Sequence, residues 1–113
     1  MSKTAVLLMA YGGPDSLDDI DAYLLDVRGG RPISAELTAK IKERYALIGG
    51  KSPLLAITRQ VAEALEKRLN TDVSDHFQVF VGMRHWFPYI RETVEQIAEQ
   101  GYTRIISICM TPF

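Results

Sequence analysis

An α/β fold built on a parallel sheet is predicted by three features of the sequence. Ala5-Val6-Leu7-Leu8-Met9-Ala10 is an unbroken apolar run, which suits a strand buried on both faces better than a half-exposed one. Two later runs, Phe77 to Met83 and Arg104 to Met110, have strand length and are rich in β-formers. The segments between them carry helical spacing, giving the order β-α-α-α-β-α-β. That order implies right-handed crossovers, with ligands bound beyond the carboxyl ends of the strands.

The elements follow one another with recognisable punctuation. After the first strand, Gly12-Gly13-Pro14 turns the chain, and Ser16 with Asp19 three residues on forms an acidic capping box. Ile20, Tyr23 and Leu24 then mark a short helix ending near Asp26. Gly29-Gly30-Arg31-Pro32 breaks the chain, and Ser34 caps a second helix whose face is Leu37, Ile41, Tyr45 and Ile48, stopped by Gly49-Gly50. Ser52-Pro53 opens a third helix, with Ile57, Val61, Leu65 and Leu69 as its inward positions, and Thr71 to Asp75 is a polar connection. Pro88 suits the first turn of a fourth helix, whose buried face is Ile90, Val94 and Ile97, and Gly101 ends it. The last strand reads as apolar on both faces at its centre.

With 113 residues, 47% hydrophobic and 24% charged, the chain has the make-up of one soluble globular unit and excludes disordered, collagenous and low-complexity classes. Thirteen Lys and Arg against 14 Asp and Glu leave a formal charge of -1, so no global field draws it to nucleic acid or anionic lipid. An anionic ligand must be gripped locally. The single cysteine, Cys109, cannot form an internal disulfide, nor, with His76 and His85, a Cys/His zinc cluster. The Met-Ser-Lys-Thr start lacks the features of a signal peptide, and no apolar run is long enough to span a bilayer. A reducing, cytoplasmic location is expected.

Several residues carry chemistry at the places where such folds bind ligands. Tyr11 stands at the carboxyl end of the first strand, where its phenol either faces a ligand or hydrogen-bonds within the core. The Gly12-Gly13 pair favours close approach, although neither the dinucleotide fingerprint nor the P-loop is present. Arg28 and Arg31 flank Gly29-Gly30 and suit bidentate capture of carboxylates, or are simply solvated. Arg44 and Tyr45 occupy the last turns of the second helix, fitting its dipole and packing its core face. Ser52 offers a hydroxyl as a helix cap or as a donor to an anion. His85 follows the second strand without a second ligand at metal-site spacing, which favours a structural or surface role.

Three segments taken together say more. Met9-Ala10-Tyr11-Gly12-Gly13-Pro14, then Arg44-Tyr45-Ala46-Leu47-Ile48-Gly49-Gly50-Lys51-Ser52-Pro53-Leu54, then Gly82-Met83-Arg84-His85-Trp86-Phe87-Pro88 closely resemble, in order and spacing, the amino-terminal portion of ferrochelatases. The resemblance runs from Lys3 to Phe113, and its middle segment is the most specific. It implies a chelatase-like, Rossmann-like lobe, of which residues 1–113 are the amino-terminal part, with the second lobe of the family lying outside the chain. The activity implied is insertion of ferrous iron into a porphyrin in haem synthesis, with iron and porphyrin as substrates and no cofactor required.

By the same resemblance Tyr11 matches the tyrosine that, in the bacterial branch acting on coproporphyrin III, is the axial ligand to the iron of the product. Arg28, Arg44, Tyr45 and Ser52 match residues that bind the porphyrin and its propionates. The family's metal-handling histidine and glutamate lie later in its sequence, and neither His76 nor His85 matches that histidine. No catalytic group of the family therefore falls within this chain, which is expected to be inactive alone. Gly29 departs from relatives with a second basic residue there. Other classes remain: a non-catalytic tetrapyrrole-binding module, or a structural lobe that self-associates through its exposed cleft.

Overall fold

A computed structural model describes residues 3–71 and 76–111. The predicted order is observed: β1 (Lys3–Ala10), a 3-10 turn (Leu17–Asp19), α1 (Ile20–Val27), α2 (Ala35–Ala46), α3 (Leu54–Leu69), β2 (His76–Met83), α4 (Ile90–Glu99) and β3 (Ile105–Cys109). Most of the polar connection after α3 and the last two residues lie outside the described residues. The three strands form one parallel sheet in the order β2-β1-β3.

The apolar run of β1 becomes the central strand because both of its faces are covered. Ala5 and Leu7 pack with Phe80 and Ile97 on the α4 side, whereas Val6 and Leu8 pack with Ala62 on the α3 side. The alternation of a strand thus feeds two separate cores, each closed by a crossover helix. A third cluster joins Ile20, Tyr23 and Leu24 of α1 to Trp86 after β2, with Ile41 and Tyr45 of α2 packed against it. An exposed ion pair, Lys42 to Asp21 at 3.0 Å, also links α2 to α1.

The helix faces differ from expectation in an instructive way. On α3 the buried residues are Thr58 and Ala62, with Ile57 52% and Val61 39% exposed. Thr58 can be buried because its hydroxyl donates to the Leu54 carbonyl at 2.7 Å. On α4, Thr93 joins Ile97 in the interior while Val94 is exposed, for the same reason: the Thr93 hydroxyl donates to the Val81 carbonyl at 2.9 Å. A spacing of apolar residues alone does not register threonines that satisfy themselves.

Three local signals are also corrected. Ser16 makes no side-chain cap, since a 3-10 turn brings the Asp19 amide to the Ser16 carbonyl at 3.2 Å instead of to the hydroxyl. Pro88 precedes the fourth helix rather than entering it: the Met83 amide donates to the Pro88 carbonyl at 2.7 Å and holds that stretch extended. Ile48 leaves the α2 face because the helix ends at Ala46 and the Gly50 amide folds back to the Tyr45 carbonyl. Ser34 does cap α2, accepting from the Leu37 amide at 3.2 Å.

The two edges of the sheet are unlike. Along β2 the outward backbone is met by side chains. The Asn70 amide both donates to the Phe77 carbonyl at 2.8 Å and accepts from its N–H at 2.9 Å. Glu66 accepts from the Val79 amide at 2.7 Å, and Thr93 donates to the Val81 carbonyl. β3, by contrast, is exposed along its whole length, with Ile105 and Ile106 each 40% accessible. The expected burial of β3 on both faces is therefore not observed, since among the described residues it packs mainly against β1.

Candidate functional site

The three motif segments meet at the carboxyl end of β1. The parallel ladder continues past the strands: the Arg84 amide donates to the Ala10 carbonyl at 2.9 Å, the His85 amide to the Tyr11 carbonyl at 2.9 Å, and the Met110 amide to the Met9 carbonyl at 2.7 Å. Tyr11 is thereby fixed at the centre of the sheet's ligand-binding edge. The loop that follows is drawn inward by its glycines. Gly12 has φ +98° and lies against the Trp86 backbone, where a Cβ would come to 3.0 Å of its nitrogen. Gly13 touches Ser52 so closely that a Cβ would stand 2.4 Å from the hydroxyl oxygen. The Ser52 amide then donates to the Pro14 carbonyl at 2.9 Å, so residues far apart in sequence form one wall.

Each predicted residue has a definite place in this arrangement. Tyr11 is 41% exposed, with its ring edge-on to the His85 imidazole at 4.7 Å between centroids. Tyr45 is half-buried against the cluster of Ile20, Tyr23, Leu24 and Trp86. Ser52 accepts from the Leu54 amide at 3.2 Å, which leaves its own proton to donate. Arg28 ends α1, and its Nε is buried without a hydrogen-bond partner among the described residues. An orphaned charged donor of this kind costs free energy unless an anion meets it. Arg31 is spent locally, donating from Nε to the Arg28 carbonyl at 3.1 Å. Arg44 is exposed and makes no side-chain hydrogen bond or ion pair among the described residues. Ser52 is thus held against the loop that follows Tyr11, while Tyr45 packs into the cluster of α1 and Trp86.

A cluster that the sequence did not announce lies behind Tyr11. Asp26 accepts from His85 Nδ1 at 2.8 Å with one carboxylate oxygen, and from the Tyr89 hydroxyl at 2.9 Å with the other. The one available hint was an acidic residue in the last turn of a helix, where the macrodipole disfavours negative charge. Tyr23, whose spacing marks α1, also donates its hydroxyl to the Gly12 carbonyl at 3.0 Å and supports the turn. Burial, and then the neighbouring Tyr45, Tyr11 and Asp26, push the Tyr23 phenol well above its ordinary value.

The electrostatics of the cluster set a pH dependence. Burial works to raise the Asp26 pKa, but the hydrogen bonds from His85 and Tyr89 outweigh it and hold the carboxyl below its ordinary 3.8. Burial, followed by the bond to Asp26, pushes the Tyr89 phenol up to about 12. A depressed acid stabilises the fold above its unfolded value, and that contribution is lost as pH falls through the folded one. A raised phenol stabilises below its ordinary 10 and is lost as pH climbs towards about 12. Urea midpoints are therefore expected to be level through neutral pH, and to fall below about pH 4 and above about pH 10. Asp26→Asn should flatten the acid limb, and an acid limb unchanged in that variant would exclude Asp26 as its source.

The concave space at the strand ends is lined by Met9, Tyr11, Arg84, His85, Ile90 and Cys109 and measures about 270 Å³. Enclosing sites for compact ligands run to roughly 300–1,000 Å³, so this space lies just below that range. The loop after α2 presents apolar side chains to solvent, Leu47 86% and Ile48 58% exposed. A larger cleft between α1 and α2 carries none of the predicted residues. No helix among the described residues is long and apolar enough to cross a membrane.

The sequence is similar to proteins of one family along its whole described length. The family model described as Ferrochelatase matches residues 3–113. A ferrochelatase of Herpetosiphon aurantiacus is 39% identical over 111 residues, covering 98% of this chain and 36% of its own. A ferrochelatase of Acidobacterium capsulatum is 43% identical over 110 residues, covering 97% of this chain and 32% of its own. A coproporphyrin III ferrochelatase of a Geobacillus species is 43% identical over 112 residues, covering 97% and 36%. The chain thus spans about a third of the length of the curated relatives it matches. Motifs that meet at one strand end, and a match that runs through all of them, place this chain in the ferrochelatase family.

Proposed function

We propose that the protein to which this chain contributes inserts ferrous iron into coproporphyrin III in the cytoplasm, and that this chain supplies one wall of the porphyrin cleft. The observation that carries the reading is the loop after β1, which follows an exposed Tyr11 and is held against Ser52 at Gly13 and Pro14, in a chain whose buried Arg28 Nε has no partner among the described residues. A porphyrin bearing several propionates needs that combination: an apolar wall for the macrocycle and charge-assisted donors at its rim. Leu47 and Ile48 give the apolar part, and Arg28, Arg44 and the Ser52 hydroxyl give the donors. The relative named for coproporphyrin III supports the choice of porphyrin.

In this reading Tyr11 meets the metal. An iron cation favours phenolate over phenol, so Tyr11, 41% exposed as a residue, offers the product iron an oxygen ligand from the wall. The proton-removing and iron-delivering groups belong to the part of the family's sequence beyond this chain, and iron and porphyrin are substrates with no further cofactor.

An absorbance titration with coproporphyrin III and with its ferric complex tests the reading, followed by ferrous or zinc insertion in the same cuvette. Both porphyrins should bind, and Tyr11→Phe should change the spectrum of the ferric complex while leaving metal-free binding intact. Arg28→Ala and Arg44→Ala should each weaken porphyrin binding by about 1.5–3 kcal/mol, the range for a charged hydrogen bond. An unchanged ferric spectrum would remove Tyr11 from the iron, and absence of any binding would overturn the reading. Binding without insertion in the intact protein would favour a tetrapyrrole-binding module.

A further inference from the structure

The phenol of Tyr11 has little to hold it. It is 41% exposed, and an exposed side chain ordinarily samples several rotamers. Among the described residues its one stacked aromatic neighbour is the His85 imidazole, edge-on at 4.7 Å with planes at 60°. The His85 amide also donates to the Tyr11 carbonyl at 2.9 Å, so the same residue grips both the main chain and the ring. The imidazole is itself fixed, because Asp26 accepts from its Nδ1 at 2.8 Å and an ionised carboxylate can only accept. That bond leaves Nδ1 as the protonated nitrogen and sets the ring's orientation. Asp26 does this from the carboxyl end of α1, a position that helix electrostatics disfavour. Residues 59 apart in sequence are joined by it.

We propose that Asp26 is the positioning residue for Tyr11, acting through His85: the carboxylate locks the imidazole, and the imidazole's edge sets the direction in which the phenol leaves the strand end. The inference rests on the assignment of Tyr11 as the group that meets the porphyrin iron. It gives Asp26 a role in ligation that is exerted through His85. A phenol already aimed loses less freedom when it binds, which is the advantage of preorganisation.

The test uses Asp26→Asn and His85→Leu in the intact protein, with Tyr89→Phe as the control that removes the other hydrogen bond to the same carboxylate. Tyrosine is labelled at its ring carbons, and Tyr11 is assigned by Tyr11→Phe. In the unliganded protein, Asp26→Asn and His85→Leu should move the Tyr11 ring resonance towards that of a freely rotating tyrosine, while Tyr89→Phe leaves it in place. Ferric coproporphyrin should bind the first two variants about tenfold more weakly, on the scale of ordering one side chain, with metal-free coproporphyrin unaffected. If Asp26→Asn does not fold, His85→Leu carries the same comparison. An unmoved Tyr11 resonance with unaltered ferric affinity overturns the proposal, as does a Tyr89→Phe effect equal to that of Asp26→Asn, which would mean loop packing. Should the unmodified protein bind no porphyrin, the functional reading fails, and the resonance of Tyr11 alone decides the positioning.

Discussion

Replacing Gly12 with alanine is expected to destabilise the protein by about 2–5 kcal/mol. The backbone there has φ +98°, and a side chain in that half of the map costs roughly 1–2 kcal/mol. The new Cβ would also stand 3.0 Å from the Trp86 backbone nitrogen and 3.3 Å from the Met83 Cβ. Crowding against a packed backbone adds about 1–3 kcal/mol. Gly29→Ala is the matched control, with φ +67° and nothing within 4 Å of its Cβ, so only the first cost of roughly 1–2 kcal/mol applies. Urea unfolding of the two variants separates the contributions. Equal losses would show that the loop after β1 yields, and that its close approach to β2 is not what fixes Tyr11.

The second large effect is expected at Ile97, which is fully buried against Ala5, Leu7 and Phe80. Ile97→Ala removes that contact and leaves a cavity, costing about 2–5 kcal/mol. For a domain of this size the midpoint of thermal unfolding should fall by roughly 8 °C or more. Val94→Ala on the same helix should cost less than about 1 kcal/mol, since Val94 faces solvent. Losses at Val94 and Ile97 of equal size would mean that α4 sits on the sheet by the face the apolar spacing predicts, which holds both residues.

That contrast shows where the sequence was legible. β1 could be read outright because six successive apolar residues admit few other fates. The order of elements, the Ser34 cap and the glycine stop after α2 followed from local chemistry that acts within a few residues. Helix rotation was read less well, because Thr58 and Thr93 satisfy their hydroxyls on nearby carbonyls and take buried places that a hydrophobicity pattern reserves for Ile57 and Val94. The arrangement behind Tyr11 was illegible for another reason. Asp26 and His85 are ordinary residues in ordinary local settings, and only the folding of α1 against the loop after β2 brings them to 2.8 Å. The family motifs located Tyr11, Tyr45 and Ser52 without showing why Gly13 must be small. The 2.4 Å approach to Ser52 supplies that reason.

The unlike edges of the sheet differ in what they can accept. Asn70, Glu66 and Thr93 occupy backbone groups along the outer side of β2, as a neighbouring strand would. Strand addition there must first displace them, whereas among the described residues β3 keeps an open ladder with apolar side chains on both faces. The sheet can therefore be extended without displacing a side chain in one direction, outward from β3.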